Sequence, residues 1–209
     1  MIAALARLLG LRRAEDALPM RAMRWVVVDC ESSGLNPERD RLLSIGAVAV
    51  REGRVDHGDA FGAVLRQTEA SDAPNILIHG IGAEAQLSGR EPAAVLDEFA
   101  RYAAGGIPVA FHAAFDRALL ERAMPLWKRR WLDLAQLAPA LYPARARSCR
   151  TLDDWLAAFA IEHPARHDAV ADAYASAQLL LILLAEAERQ GLAAASELFA
   201  IERGSRWLG

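Results

Sequence analysis

The chain has 209 residues, a formal net charge of −3 and two cysteines, and hydrophobic residues make up 54% of it. This length supports one globular domain with a sizeable core, and the slightly acidic balance excludes a generally basic nucleic-acid coat. Cys30 and Cys149 are too few for a disulfide framework or a cysteine-rich zinc site, which fits a reducing cytoplasm. The most apolar run, residues 179–185, is too short to span a bilayer, so we expect no membrane segment.

The first half of the chain predicts a lead-in segment and a meander of strands. Residues 1–22 favour an amphipathic helix and a polar linker, because their arginines lie within or after the apolar stretch, the reverse of a secretory leader. Residues 25–28 form an apolar strand that a Ser-Ser-Gly turn signal ends. Residues 42–50 and 55–66, joined by a Glu-Gly turn, predict an antiparallel hairpin.

The second half alternates helices and strands. Residues 67–90 lack periodicity and predict a loop with at most a turn of helix. The elements that follow are a helix from Glu91, a strand at 107–111, a helix at 116–124, a strand at 131–134, a helix ending at Leu141, a helix capped by Thr151 and a long helix at 169–190. We therefore predict an α/β domain at 23–190 with a mixed five-stranded sheet flanked by helices, and a short helical extension at 191–209.

Two carboxylates stand at the end of the first strand. Asp29 and Glu31 are two residues apart, so they share one face of the strand, whereas Cys30 points to the other face. Paired acids raise each other's pKa unless a cation lies between them, and hard oxygen ligands suit Mg²⁺ or Mn²⁺. The alternative for this pair is a solvated strand end.

Two further acids and a histidine stand at predicted helix starts. Asp116 follows a strand, where the helix dipole favours an acid whether or not it has a function. Asp172 lies among small and apolar residues in the long helix, and a buried acid there needs a counter-charge or a metal. His167 precedes that helix and can face the same site, with a helix-capping histidine as the alternative. Asp168 is better suited to the N-cap.

These positions resemble three motifs of one nuclease family. Asp29-x-Glu31, His112-x-x-Phe115-Asp116 and His167-x-x-x-x-Asp172 resemble the motifs of the DEDDh 3′→5′ exonucleases, in a pattern similar to the proofreading epsilon subunits of bacterial DNA polymerase III. The resemblance covers residues 24–188 and implies a ribonuclease-H-like three-layer fold. Two positions differ from the usual family pattern: Cys30, which faces the core, and Ala113, which we expect to loosen the positioning of Asp116 or of the substrate.

The resemblance also implies a mechanism for phosphodiester hydrolysis with two divalent cations, Mg²⁺ or Mn²⁺. The metal ligands would be the four acids Asp29, Glu31, Asp116 and Asp172. The general base would be His167, since an unperturbed imidazole titrates near neutral pH. The substrate-binding candidates are Ser32, Ser33, Gly34, Leu35, His79, His112 and Phe115. For His79 and His112 a hydrogen-bonded structural role is the alternative, and His57 and His163 have no predicted role.

Three functions remain open from the sequence. The first is removal of nucleoside 5′-monophosphates from the 3′ end of single-stranded DNA, in proofreading or repair. The second is the same chemistry on short RNA, and the third is an inactive nucleic-acid- or polymerase-binding module on the same scaffold. A proofreader would have a DNA polymerase as its partner, although the tail after Gln190 carries no docking motif that we identify. A basic bias between residues 117 and 150 predicts either a solvated face or a track for a phosphate backbone.

Overall fold

The structure is a computed structural model, and it describes residues 18–163 and 167–205. Residues 1–17 of the predicted lead-in helix and linker at 1–22 lie outside the described residues, as do residues 164–166 and 206–209.

A mixed five-stranded sheet forms the centre of the domain, as predicted. Its strands are β1 (Trp25–Ser32), β2 (Leu42–Arg51), β3 (Arg54–Val64), β4 (Ile107–Ala110) and β5 (Leu132–Asp133). Their spatial order is β3-β2-β1-β4-β5. The meander β1-β2-β3 is antiparallel, whereas β4 pairs parallel to β1, and β5 pairs parallel to β4. The carboxyl ends of β1, β4 and β5 therefore lie at the same edge of the sheet.

Eight α-helices are described. They are α1 (Ala73–His79), α2 (Ala83–Leu87), α3 (Pro92–Tyr102), α4 (Ala113–Ala123), α5 (Leu134–Leu141), α6 (Leu152–Ala158), α7 (Ala169–Arg189) and α8 (Ala195–Ser205). The predicted loop at 67–90 contains α1 and α2, so that prediction is wrong in part. Asp72 begins α1 by accepting the Asn75 N–H at 3.1 Å, and left-handed Gly80 ends it. Neither helix buries an apolar stripe, so periodicity gave no signal.

The two faces of the sheet bury two separate hydrophobic clusters. Trp25 and Val27 contribute to the cluster that holds α5, α6, α7 and α8, whereas Val26 and Val28 contribute to the cluster with α3 and α4. This alternation along β1 is the period of two that a strand requires. The resulting order of helix, sheet and helix is the predicted three-layer fold.

The long helix α7 is a core element of this domain. By length and composition alone it could cross a membrane. However, 61% of its most apolar 18-residue stretch is buried inside the protein, and the helix packs on β1, β2 and β3. A buried core helix can be as long and as apolar as a membrane span. The shorter apolar run considered in the sequence is therefore part of one continuous buried helix.

The flanking segments pack against the domain where they are described. Met20 is buried in a short 3₁₀ helix, its carbonyl accepts the Trp25 indole N–H at 3.0 Å, and Pro19 forms a β-bridge with Ala194. In α8, Leu198 and Phe199 are buried in the same cluster as α7. The division into a lead-in, a main domain and an extension remains a prediction.

Candidate active site

The carboxyl edge of β1 presents Asp29 and Glu31 toward α7. Both side chains are half-buried and lie on the face of Trp25 and Val27, whereas Cys30 is 7% exposed and packs in the cluster on the opposite face. The predicted separation of the two carboxylates from Cys30 is confirmed. The register of the pairing with β2 shifts after Glu31, and β1 ends one residue later at Ser32, so the chain turns away directly beyond the acids.

A pair of glycines lets the start of α7 approach the sheet. Gly46 pairs with Asp29 on one side and with Gly62 on the other. A Cβ on Gly46 would lie 2.1 Å from the carbonyl carbon of Ala169, and one on Gly62 would lie 2.7 Å from a methyl group of Val170. Because no side chain fits there, these glycines allow the first turn of α7 to lie beside the β1 acids.

Asp172 is held in that first turn by groups that precede the helix. It is 6% exposed, and its Oδ2 accepts the backbone N–H of His167 at 2.9 Å. Its Oδ1 lies 3.0 Å from Nε2 of His163, a residue for which the sequence predicted no role. Asp168 accepts the Ala171 N–H at 2.9 Å, which confirms its predicted N-cap function.

Three of the predicted residues form a cluster that could hold a metal ion. Glu31, His167 and Asp172 each offer a ligand atom, and these atoms all lie within 4.8 Å of one another. Two carboxylate oxygens and an imidazole nitrogen are suitable donors for a divalent cation such as Mn²⁺. The donor set therefore fits the predicted metal, and Asp29 and Asp116 lie outside this tight group.

Asp116 approaches the same strand from the other side of the sheet. It lies in the first turn of α4, is 5% exposed, and its Oδ1 accepts the backbone N–H of Cys30 at 2.9 Å. Burial raises the pKa of Asp116 to about 7, and the hydrogen bond from Cys30 opposes that rise only in part. A cation bound nearby would lower this pKa, because it would favour the ionised carboxylate.

The β4–α4 junction that carries Asp116 depends on a second buried acid. His112 has a left-handed backbone (φ 61°), and its N–H donates to Oδ1 of Asp133 at 3.1 Å. The same oxygen accepts the Ala135 N–H at 3.0 Å. Burial raises the pKa of Asp133, and these backbone donors counteract the effect. Ala113 is buried as the first residue of α4, and Asp116 keeps its contact with Cys30 in its presence.

The predicted substrate-binding residues of the β1–β2 loop lie directly beyond the acids. Leu35 is 89% exposed, whereas Ser32, Ser33 and Gly34 are half-buried. The loop is braced internally, because the Ser32 hydroxyl donates to the Gly34 carbonyl at 2.6 Å and the Ser33 N–H donates to the Arg41 carbonyl at 2.9 Å. An exposed apolar side chain on a braced loop can contact a ligand without a large ordering cost.

The three remaining candidates differ in exposure. His79 is 2% exposed and its Nδ1 accepts the Ile81 N–H at 3.1 Å, which favours the structural alternative for that nitrogen. His112 is exposed beside the ring of Phe111, and Phe115 is half-buried in the α3–α4 cluster. The loop that follows His79 lies close to the site, since a Cβ on Gly80 would be 3.7 Å from the His167 carbonyl.

Most of the basic residues predicted as a phosphate track have acceptors within the protein. Lys128 pairs with Glu121 at 2.8 Å, and Arg129 donates to the carbonyl of Gly106 at 3.1 Å. Arg122 binds the Asp40 carbonyl, and Arg145 donates to the Ala158 carbonyl at 2.8 Å. These contacts favour the solvated face over the phosphate track as the interpretation of the basic bias.

The fold and the acidic edge together define an α/β domain of the nuclease class. The model of the exonuclease (RNase_T) family matches residues 26–180, and the chain belongs to this family. Among curated relatives, the chain is 30% identical over 176 residues to the DNA polymerase III subunit epsilon of Escherichia coli, covering 77% of this chain and 71% of that protein.

Two other relatives carry different names. The PolC-type DNA polymerase III of Thermotoga petrophila is 29% identical over 179 residues, covering 83% of this chain and 13% of that protein. The oligoribonuclease of Paracidovorax citrulli is 34% identical over 124 residues, covering 52% of this chain and 63% of that protein. The chain thus spans only a small part of the polymerase that it matches.

Among solved structures, E. coli exonuclease I in complex with a dT13 oligonucleotide superimposes with a TM-score of 0.70 and 20% identity, covering 80% of this chain and 42% of that chain. This likeness confirms the ribonuclease-H-like fold.

Proposed function

We propose that this protein is a DEDDh-type 3′→5′ exonuclease that hydrolyses the terminal phosphodiester bond of single-stranded DNA and releases nucleoside 5′-monophosphates. The observation that carries the proposal is the cluster of Glu31, His167 and Asp172, whose ligand atoms lie within 4.8 Å of one another. Asp29 lies two residues before Glu31 on the same strand, and Asp116 accepts the backbone N–H of Cys30 between them. Membership of the exonuclease family supports the same reaction.

The roles follow from the chemistry of each side chain. Asp29, Glu31, Asp116 and Asp172 would hold two divalent cations, Mg²⁺ or Mn²⁺. Such ions polarise the phosphoryl oxygens, activate a water and stabilise the departing 3′ oxygen. His167 takes the proton of the attacking water, because its imidazole lies in the cluster and has a ring nitrogen that can act as a general base.

The substrate end would lie over the β1–β2 loop. Leu35 is exposed enough to pack against the last base, and the braced backbone of Ser32, Ser33 and Gly34 would contact its sugar. His112 and Phe115, at the start of α4, and His79 would border the terminal nucleotide.

Short RNA is the second candidate substrate. The similarity to an oligoribonuclease favours it, and the two sugars differ only in a 2′-hydroxyl that one hydrogen bond can read. A DNA polymerase is a further candidate partner, in keeping with the epsilon relative. A cytoplasmic location agrees with the two cysteines, which are free and buried.

The test is release of mononucleotides from 3′-labelled and 5′-labelled single strands, DNA and RNA in parallel, with Mg²⁺, Mn²⁺ or EDTA. We expect metal-dependent shortening from the 3′ end, and the ratio of the DNA and RNA rates identifies the substrate class. Absence of cleavage with either metal would instead support the inactive binding module.

The matched variants for this assay are Asp29→Ala and Asp97→Ala. The first removes a carboxylate from the β1 edge and should abolish hydrolysis while the circular-dichroism spectrum is retained. The second removes an exposed carboxylate from α3, far from the acidic edge in sequence, and should leave the rate unchanged. Undiminished turnover by Asp29→Ala would refute the proposed site.

A further inference from the structure

His163 reaches the site because of the way that α6 ends. Ala160 has a left-handed backbone (φ 53°), and the Ile161 N–H donates back to the Leu156 carbonyl at 2.9 Å, which is a Schellman-type helix end. Ile161 packs against the core cluster of α7. The chain is thus anchored two residues before His163, which lies beside the first turn of α7.

The imidazole of His163 is buried without a hydrogen bond. Its side chain is 7% exposed, and within the described part of the chain neither Nδ1 nor Nε2 has a hydrogen-bond partner. Nε2 lies only 3.0 Å from Oδ1 of Asp172, yet the direction of approach is not that of a hydrogen bond. Burying an imidazole without a hydrogen bond costs free energy, unless another group binds its ring nitrogens.

A shared cation accounts for this arrangement. Imidazole nitrogen and carboxylate oxygen each bind such an ion at about 2.1 Å, so two of these ligands at a right angle are about 3 Å apart. In that geometry both atoms point at the ion rather than at each other. We propose that His163 is an additional metal ligand, which binds through Nε2 the same divalent cation as Oδ1 of Asp172.

This inference rests on the proposed function and concerns the choice of metal. Mg²⁺ prefers oxygen ligands and keeps much of its water. Mn²⁺ accepts an imidazole ligand more readily than Mg²⁺ does, although less readily than the later transition metals do. An imidazole from His163, beside that of His167, therefore shifts the preference of the Asp172 site from Mg²⁺ toward Mn²⁺.

The first experiment measures metal binding rather than activity. Isothermal titration of Mn²⁺ and, separately, Mg²⁺ into the full chain, without nucleic acid, gives both dissociation constants for wild type, His163→Ala and His57→Ala. His57 is the matched control, because it is exposed on β3 and stacks on Tyr174 outside the acidic cluster. We expect His163→Ala to weaken Mn²⁺ binding at least about tenfold, Mg²⁺ binding less than about twofold, and His57→Ala to change neither.

Equal weakening of both metals, or no weakening, would overturn the proposal. If His163→Ala fails to fold, wild-type protein loaded with Zn²⁺ as a diamagnetic probe provides the second measurement. A ¹⁵N spectrum of the histidine rings should then show Nε2 of His163 as a coordinated nitrogen, and an unshifted resonance would count against it.

The two proposals fail in different ways. Wild type that binds Mn²⁺ through His163 but cleaves neither DNA nor RNA would refute the exonuclease function and leave the ligand assignment standing. Wild type that cleaves DNA while His163→Ala binds both metals normally would refute the ligand assignment alone.

Discussion

The two buried acids of the site occupy the same local position in two different environments. Asp116 and Asp172 each lie in the first turn of a helix, are 5% and 6% exposed, and accept one backbone N–H at 2.9 Å. Beyond that bond, Asp116 is next to the Cys30 thiol and the carboxylate of Asp133, whereas Asp172 is next to the imidazole of His163.

Tertiary neighbours, rather than position in the helix, therefore determine the surroundings of each buried carboxylate. Without a nearby cationic partner, burial dominates and the pKa of Asp116 rises to about 7. Asp172 has a nitrogen atom within 3.0 Å of each oxygen: the backbone N–H of His167 donates to Oδ2, and Nε2 of His163 lies 3.0 Å from Oδ1. We expect the α7 side to hold the tighter cation, and we expect Asp116 on the α4 side to be only partly ionised at neutral pH until a metal binds.

The largest expected effect comes from removing the charge on the α7 side. Asp172→Asn keeps the size of the side chain but removes a carboxylate from the cluster with Glu31 and His167. The rate of hydrolysis should fall by at least about a thousandfold, since charge stabilisation of the transition state depends on the held cations. Asp168→Asn is the matched control, because asparagine also caps helices; steady-state kinetics that show equal losses in both variants would contradict the assignment.

A change at Gly46 should disturb the α7 side without touching an acid. A Cβ there would lie 2.1 Å from Ala169 and 2.4 Å from the backbone nitrogen of Val170, so Gly46→Ala must push the start of α7 away. We expect a loss of about 2–3 kcal/mol in unfolding free energy and weaker Mn²⁺ binding. Gly82→Ala, where the new atom meets nothing within 4 Å, provides the control in the same denaturation assay.

Asp116 on the α4 side should make the stability of the protein depend on pH. The folded pKa of Asp116 is about 7, above the value of about 3.9 for an unfolded chain. Its contribution to stability is therefore complete below pH 4 and is lost as the pH rises through 7. In EDTA, the stability of Asp116→Asn relative to wild type should increase by on the order of 4 kcal/mol between pH 4 and pH 8, since the folded and unfolded pKa values differ by roughly three units. Urea denaturation at both pH values checks this, and a difference that does not change with pH would show that burial leaves Asp116 ionised.

The smallest effect is expected at the helix end that positions His163. Ala160 is exposed and left-handed, a conformation that glycine adopts without strain. Ala160→Gly should raise the unfolding free energy by about 0.5–1 kcal/mol and leave Mn²⁺ binding unchanged. Ala157→Gly, an exposed position inside α6, should lower it by about 1 kcal/mol; a loss in both variants would mean that Ala160 is not strained.

Sequence patterns predicted the elements whose signals are local. The alternation along β1 separates Asp29 and Glu31 from Cys30, and the Thr151 capping box begins α6 as expected. The sequence did not predict α1 and α2 as two helices, because short helices with exposed apolar residues have no buried apolar stripe. Leu77 in α1, for example, is 85% exposed.

Positions that depend on close packing were outside the reach of sequence patterns. Glycines inside two strands signal a close approach of some backbone, but only the structure identifies that backbone as the first turn of α7. His163 resembled any surface histidine, because the helix end that carries it is marked by alanine rather than glycine.

By itself, the sequence determined the order of the five strands and of the helices after residue 91, the face of β1 that carries the acids, and the family to which the chain belongs. Only the tertiary structure decided which groups surround each acid: the Cys30 amide and Asp133 for Asp116, and two histidines for Asp172. The physical reason is that the backbone hydrogen bonds of a helix and the hydrophobic periodicity of a helix or strand relate residues only a few positions apart. A pKa and a metal site, by contrast, depend on distances of about 3 Å between residues far apart in the chain or set by the path of a loop.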